Sequence, residues 1–225
     1  MASPATTDVK GGVFPDPSAD AEAKASQMLD FLETIGRLKT LERTGWVRAK
    51  IDRPETVASH MYRMAVMSAC VDNTTASSDG ASLPPLNLQH CTLMAIAHDM
   101  GEALVGDITP HDGVSNQDKF CREETAMKHI RDVLLGGNEF GHLFYNLWLE
   151  YEAQETPESQ LVKQFDKLEM IVQAYEYERD QGPPGRLEQF FASTVDKEGT
   201  FTHPQVVAIV KELLRRRTAL FDKKA

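Results

Sequence analysis

An apolar run in the middle of the chain ends abruptly in chemistry. It reads Cys91-Thr-Leu-Met-Ala-Ile-Ala-His98-Asp99-Met-Gly101-Glu102, with one imidazole and two carboxylates in its last five residues. Groups of this kind are costly to bury unless they are paired, hydrogen-bonded or bound to a metal. An imidazole beside a carboxylate suits a borderline divalent cation. Such a cation acidifies a bound water and polarises a phosphoryl oxygen. On a helix, His98 and Glu102 are i, i+4 and Asp99 and Glu102 are i, i+3, so all three open onto one cleft. Gly101 leaves room for a close approach to the backbone. The remaining ligands must come from other elements. His60 borders the apolar stripe of Val57, Met61 and Met64, and Asp166 lies between Phe165 and Leu168. Taken alone, His60 reads first as a satisfied core histidine and Asp166 as a solvated carboxylate.

The elements that would position these residues are helices. Residues 22–41 carry Met28, Leu29, Leu32, Ile35 and Leu38 at helical spacing. Residues 55–71 carry Val57, Met61, Met64, Met67 or Ser68, and Val71. The run with the His-Asp pair predicts one helix over 87–104, followed by a turn over 105–117 with Gly106, Pro110 and Gly113. Further helices are expected over 118–135, 142–153, 157–180, 187–195 and 203–221, with Thr156 as an N-cap and Pro157 at the first helical position. A polar loop spans 72–87. No strand alternation or internal repeat is visible. The expectation is an all-α fold: a single helical bundle over 21–225 with a central metal site, preceded by a disordered tail over 1–20.

Composition narrows the function classes. The chain has 225 residues, 41% hydrophobic and 26% charged, with a net charge of −10. That charge argues against nucleic acid or an anionic membrane surface as a partner, while a local metal or Arg still admits a small anion. No apolar run reaches the roughly 18 residues that span a bilayer. Three cysteines without a CxxC pair, Cys70, Cys91 and Cys121, read as buried free thiols in a reducing compartment. The expected location is cytoplasmic, with the nucleus as a second compartment.

Four segments in order carry a resemblance. Arg43-Thr-Gly-Trp46, Pro54-Glu-Thr-Val-Ala-Ser-His60-Met-Tyr-Arg-Met64, His98-Asp-Met-Gly-Glu-Ala-Leu-Val-Gly-Asp107-Ile-Thr-Pro110 and Phe165-Asp-Lys-Leu-Glu169 together resemble the HD superfamily of metal-dependent phosphohydrolases, in its 5′-deoxynucleotidase branch. The resemblance implies His60, His98, Asp99 and Asp166 as metal ligands, with Glu102 as the proton acceptor and Asp107 near the sugar and leaving oxygen. It sets Trp46 against the deoxyribose, excluding a 2′-hydroxyl. Bacterial members carry an Arg directly before that Trp; here the position is Gly45, so Arg43, Arg48 or Arg63 must meet the phosphate. A second metal on Glu102, Asp107 and the Ile108 carbonyl is a further option. Mn²⁺ or Co²⁺ is the expected cofactor, with Mg²⁺, Fe²⁺, Ni²⁺ or Zn²⁺ as other occupants. The substrate is a deoxyribonucleoside 5′-monophosphate, and a homodimer is expected, with the aromatic stretch Phe140 to Tyr151 as a candidate face. Two other readings stay open: hydrolysis of another nucleotide (a cyclic nucleotide, (p)ppGpp or a dNTP), or a non-catalytic helical binding module.

Overall fold

The computed structural model describes residues 18–72 and 85–224. Its helices are α1 (Ala19–Gly36), α2 (Thr44–Arg48), α3 (Val57–Cys70), α4 (Leu88–Ala97), α5 (Glu102–Val105), α6 (Asn116–His129), α7 (Glu139–Ala153), α8 (Pro157–Gln181), α9 (Glu188–Val195) and α10 (Pro204–Lys224). The all-α expectation holds. Among the described residues the only β contact is an isolated antiparallel bridge between Glu42 and Thr56.

α8 is the axis of the bundle. Thr156 and Ser159 form a capping box at its start, and Pro157 occupies its first turn. At 25 residues it is about 37 Å long. It packs against α3, α4, α7, α9 and α10, and Leu161, Val162, Phe165, Leu168, Ile171 and Ala174 are all buried along it. Asp166, Glu169 and Glu178 are buried on the same helix, so α8 places carboxylates inside the protein and each needs a partner. Glu178 finds Arg217 of α10 at 2.7 Å, and that guanidinium lies over the Phe191 ring.

α3 and α4 pack side by side against α8. Thr56 caps α3 and Asn87 caps α4. The α3 stripe of Val57, Met61, Met64 and Ser68 is buried as its periodicity requires, and His60 is buried beside it. Two backbone hydrogen bonds, Arg43 N–H to Glu55 and Val57 N–H to Leu41, tie the chain before α2 to the start of α3.

Several expectations are corrected. The helix over 87–104 breaks: α4 ends at Ala97 and residues 98–101 form a turn whose bonds run i to i+3, including Glu102 N–H to Asp99 and Leu104 N–H to Gly101. Three residues per turn put Asp99 and Glu102 on one face. Gly101 in this turn packs against α6: a Cβ there would be in ordinary contact with Met127 at 3.4 Å and the Glu123 carbonyl at 3.5 Å, so its neighbour is α6. In α1, Met28, Leu29 and Leu32 face solvent, and Phe31, Thr34 and Leu38 are the buried positions of this region. Ser18 to Asp20, assigned to the tail, belong to α1 and its cap; the rest of that tail, 1–17, and most of the 72–87 loop lie outside the described residues. Cys91 is buried but Cys70 and Cys121 are exposed; all three are free thiols. Tyr145, Leu147, Trp148 and Tyr151 belong to the core, which leaves only Phe140 of the expected aromatic face strongly exposed. His203 is buried, its backbone N–H held by Gln164.

Candidate metal centre

Three elements bring the four donors together. α3 supplies His60, the end of α4 supplies His98 and Asp99, and α8 supplies Asp166. His98 Nε2 lies 3.1 Å from Asp99 Oδ2. His60 Nε2 lies 3.8 Å from the same oxygen and 3.5 Å from Asp166 Oδ1. His60, His98 and Asp99 offer donor atoms within 4.8 Å of one another.

The outer nitrogens fix the inner ones. His98 Nδ1 is 2.9 Å from the Ala95 carbonyl, so it carries the proton and Nε2 is left with its lone pair. His60 Nδ1 donates to Glu169 Oε2 at 2.6 Å. Both Nε2 atoms are buried without a hydrogen-bond partner. Two buried, unpartnered imidazole nitrogens beside Asp99, one of them also beside Asp166, are costly as they stand, and a divalent cation would satisfy all four groups at once. The donor set therefore fits a divalent metal.

The electrostatics agree. Burial opposes charge on Asp99, but His98, His60 and Arg43 outweigh it and hold the carboxyl well below the usual range. Asp166 is likewise held low against burial, by Lys167, Lys163 and His60. Burial and Arg43 pull His60 down, yet Asp166 and Glu169 raise it to about 9. Glu102 goes the other way: burial, then Asp99 and Asp107, push it well above the ordinary carboxylate range. Its Oε2 is buried and unpartnered.

The surroundings sort the remaining residues. Arg43 is pinned between Asp99, 3.5 Å away, and Glu55, 3.7 Å away. Arg48 instead pairs with Asp112. Arg63 turns from the donors toward α8, bonding Gln173 and Glu176 and reaching Glu169 at 3.4 Å, because α8 presents three polar acceptors to it in successive turns. Trp46 is 1% exposed; its ring packs on Tyr177 and Phe190, and its Nε1–H donates to Glu55 at 2.8 Å. The indole is core, and it reaches the site through Glu55 and Arg43. Asp107 follows Gly106, whose φ of +80° turns the chain back, and accepts the Thr44 N–H at 2.7 Å. It thereby tethers the start of α2 to the end of α5. One Asp107 oxygen is taken up in this way, and Asp107 is also a charged neighbour that raises the Glu102 pKa.

Three further residues shape the site. Glu169 lies one turn beyond Asp166 on the buried face of α8. Tyr151 donates to Asp166 at 3.0 Å and stacks edge-on to His98. Lys119 faces the cleft: it is 3.5 Å from Glu123, and its charge is favoured by Glu123, Asp99 and Glu102 against burial.

The family model described as HD domain matches residues 35–206. The chain belongs to the HD-domain family. Among HD-domain relatives, it is 45% identical over 190 residues to a Danio rerio protein named 5′-deoxynucleotidase HDDC2, a match covering 84% of this chain and 88% of that one. The Homo sapiens protein of the same name is 43% identical, with 86% and 88% covered. A solved structure of a conserved hypothetical protein from Pyrococcus furiosus superposes with a TM-score of 0.65 at 30% identity, covering 83% of this chain and 99% of that one.

Proposed function

We propose that this HD-domain protein is a metal-dependent 5′-deoxynucleotidase, hydrolysing deoxyribonucleoside 5′-monophosphates to deoxyribonucleosides and phosphate. The observation that carries this reading is the pair of buried, unpartnered Nε2 atoms of His60 and His98 facing Asp99 and Asp166, with Glu102 buried one turn on. Relatives at 43–45% identity named for this reaction support it.

His60, His98, Asp99 and Asp166 would hold the cation, which when bound supplies Lewis acidity and makes a nearby water more acidic. Their mixed nitrogen and oxygen donors favour Mn²⁺ or Co²⁺. Glu102 takes the proton of the attacking water at Oε2, and its raised pKa brings it closer to working pH, where a general base is most effective. Arg43 offers its guanidinium to the phosphoryl oxygens from a fixed position, and Lys119 adds a second cation at the cleft. Asp107 acts by holding Thr44, and so the backbone beside Arg43. Trp46 acts on the sugar side through Glu55 and Arg43.

The reading extends to setting. The net charge of −10 and the free thiols favour a small nucleotide partner, no nucleic acid and a cytoplasmic location, with the nucleus as a second compartment. A homodimer is supported by exposed Met28, Leu29 and Leu32 on α1, and by exposed Val133 on the π-helical turn Ile130–Leu134 that α1 packs against. The deciding measurement is metal content together with phosphate release from dAMP and AMP in Mn²⁺ or Co²⁺. Faster release from dAMP is expected. Equal rates overturn the deoxyribose preference, and no metal-dependent release from any 5′-monophosphate overturns the reaction class.

A further inference from the structure

A cavity of about 390 Å³ lies on the flank of α8, away from the His60 face. Its walls come from α8, the α7–α8 link and the segment joining α9 to α10, and they include Lys163, Lys167 and Lys197, with Glu198 as the one acidic group. Three ammonium groups against one carboxylate make this a cationic hollow in a chain whose net charge is −10.

The floor is rigid and polar. Gln164 is buried and uses its whole amide: Oε1 accepts from Thr202 N–H at 2.7 Å and His203 N–H at 2.9 Å, and Nε2 donates to Thr202 Oγ1 at 3.1 Å and to the Gln160 carbonyl at 3.4 Å. Gln160 in turn donates to the Gln154 carbonyl at 3.1 Å. These bonds hold the α9–α10 segment at a set distance from α8, so the hollow is kept open by satisfied hydrogen bonds.

Two of its lysines are shared with the metal centre. Lys163 and Lys167 lie 3.3 and 3.5 Å from Asp166 Oδ2, and Lys163 also donates to Tyr151, which donates to Asp166. Lys197 has no such link. The cavity and the cation site therefore compete for the same two ammonium groups.

We propose that this cavity is a second, metal-independent binding site for a phosphate dianion, free or carried as a monoester, and that its occupancy strengthens metal binding at Asp166. A dianion would take up Lys197 and draw Lys163 and Lys167 from their shared carboxylate, Asp166, and the volume admits a group of nucleotide size. An anion seated there neutralises Lys163 and Lys167, which otherwise repel the cation held by Asp166. By linkage, the metal strengthens anion binding by the same factor. The site goes beyond the proposed reaction and does not depend on it.

The test uses the full chain stripped of metal by a chelator, so that the catalytic cleft holds no cation. Orthophosphate and AMP are titrated separately by calorimetry. Saturable binding of at least one is expected, weakened about tenfold or more by Lys197→Glu, since the variant turns a charge-assisted contact into a repulsion. Ser193→Trp, which fills the mouth without altering charge, should weaken it as well. Neither residue touches the metal ligands, so both variants should retain Mn²⁺ uptake and phosphate release from dAMP. A saturating anion should tighten Mn²⁺ binding by about fivefold, at the low end of ordinary coupling. Two results overturn the proposal: no saturable binding to the stripped protein, or binding that survives both variants and is lost in Arg43→Ala, which would put the anion in the metal cleft. A tighter fit for AMP than for orthophosphate identifies the monoester as the ligand, and the reverse identifies free phosphate.

Discussion

Replacing Glu169 by Gln separates holding the metal from performing the reaction. Glu169 is fully buried and accepts the His60 Nδ1–H at 2.6 Å, so its charge makes the opposite nitrogen a stronger donor. Glu169→Gln keeps the shape and one acceptor oxygen but removes the charge. It also leaves Arg63, 3.4 Å away, with less to neutralise it, which adds positive potential behind His60. Loss of an outer carboxylate of this kind lowers metal affinity by about 10- to 100-fold, or roughly 1.4–2.7 kcal/mol at 1.36 kcal/mol per decade. The assay is competition for Mn²⁺ between the stripped protein and a fluorescent chelator, followed by phosphate release at saturating metal. Affinity should fall within that range while the rate at saturation stays within about threefold, because Glu102 and Arg43 are untouched. A variant that binds Mn²⁺ as tightly as the parent, where His60→Ala does not bind it, refutes the reasoning: Glu169 would then be a core carboxylate that His60 merely satisfies.

Three other outcomes are expected. Glu102→Gln should lower the turnover of dAMP by about 10²- to 10⁴-fold while Mn²⁺ uptake, measured on the same sample, is retained. Trp46→Ala should cost about 3–5 kcal/mol of stability in a denaturant titration, because a buried ring packed on Tyr177 and Phe190 is lost; a small loss accompanied by a large change in sugar preference would restore direct contact with the substrate. Glu123, raised to about 7 by burial despite Lys119, should make the metal-stripped protein pH-sensitive. A carboxyl whose folded pKa lies above its unfolded value stabilises the fold at low pH, and that contribution is lost as pH rises through about 7. Unfolding of Glu123→Gln should lack this loss, so above pH 7 the variant gains on the parent by up to about 3 kcal/mol, and parallel pH profiles would count against it.

The converging donors were legible in the sequence because each breaks a local pattern: His60 borders a Met stripe, and His98, Asp99 and Asp166 interrupt apolar runs. Helix existence followed from the same periodicity. What it concealed were one local switch and features set by distant partners. The break after Ala97 is a switch to i to i+3 bonding over residues 98–101 that the apolar periodicity does not signal. Trp46 looked available because it stands between Gly45 and Val47, and only the fold brings Phe190 against it. Arg63 looked like an anion ligand until the acceptors of α8 were in place to claim it. The first half of the α1 stripe fell on the wrong face because Met28, Leu29 and Leu32 are as apolar as Phe31, and spacing alone could not choose between them, whereas Ile35 and Leu38 do face the core.

α4 ends at the metal site instead of beginning there. His98 caps the helix at its C-terminal end, where the last carbonyls carry partial negative charge, and Asp99 follows at once. With no cation bound, helix end, Asp99 and Asp166 together present a negative wall to any dianion approaching the cleft. The same wall draws in a cation. A bound cation would reverse the sign of that side of the cleft, so that it would complement Arg43 and Lys119 on the other side in receiving a phosphate group.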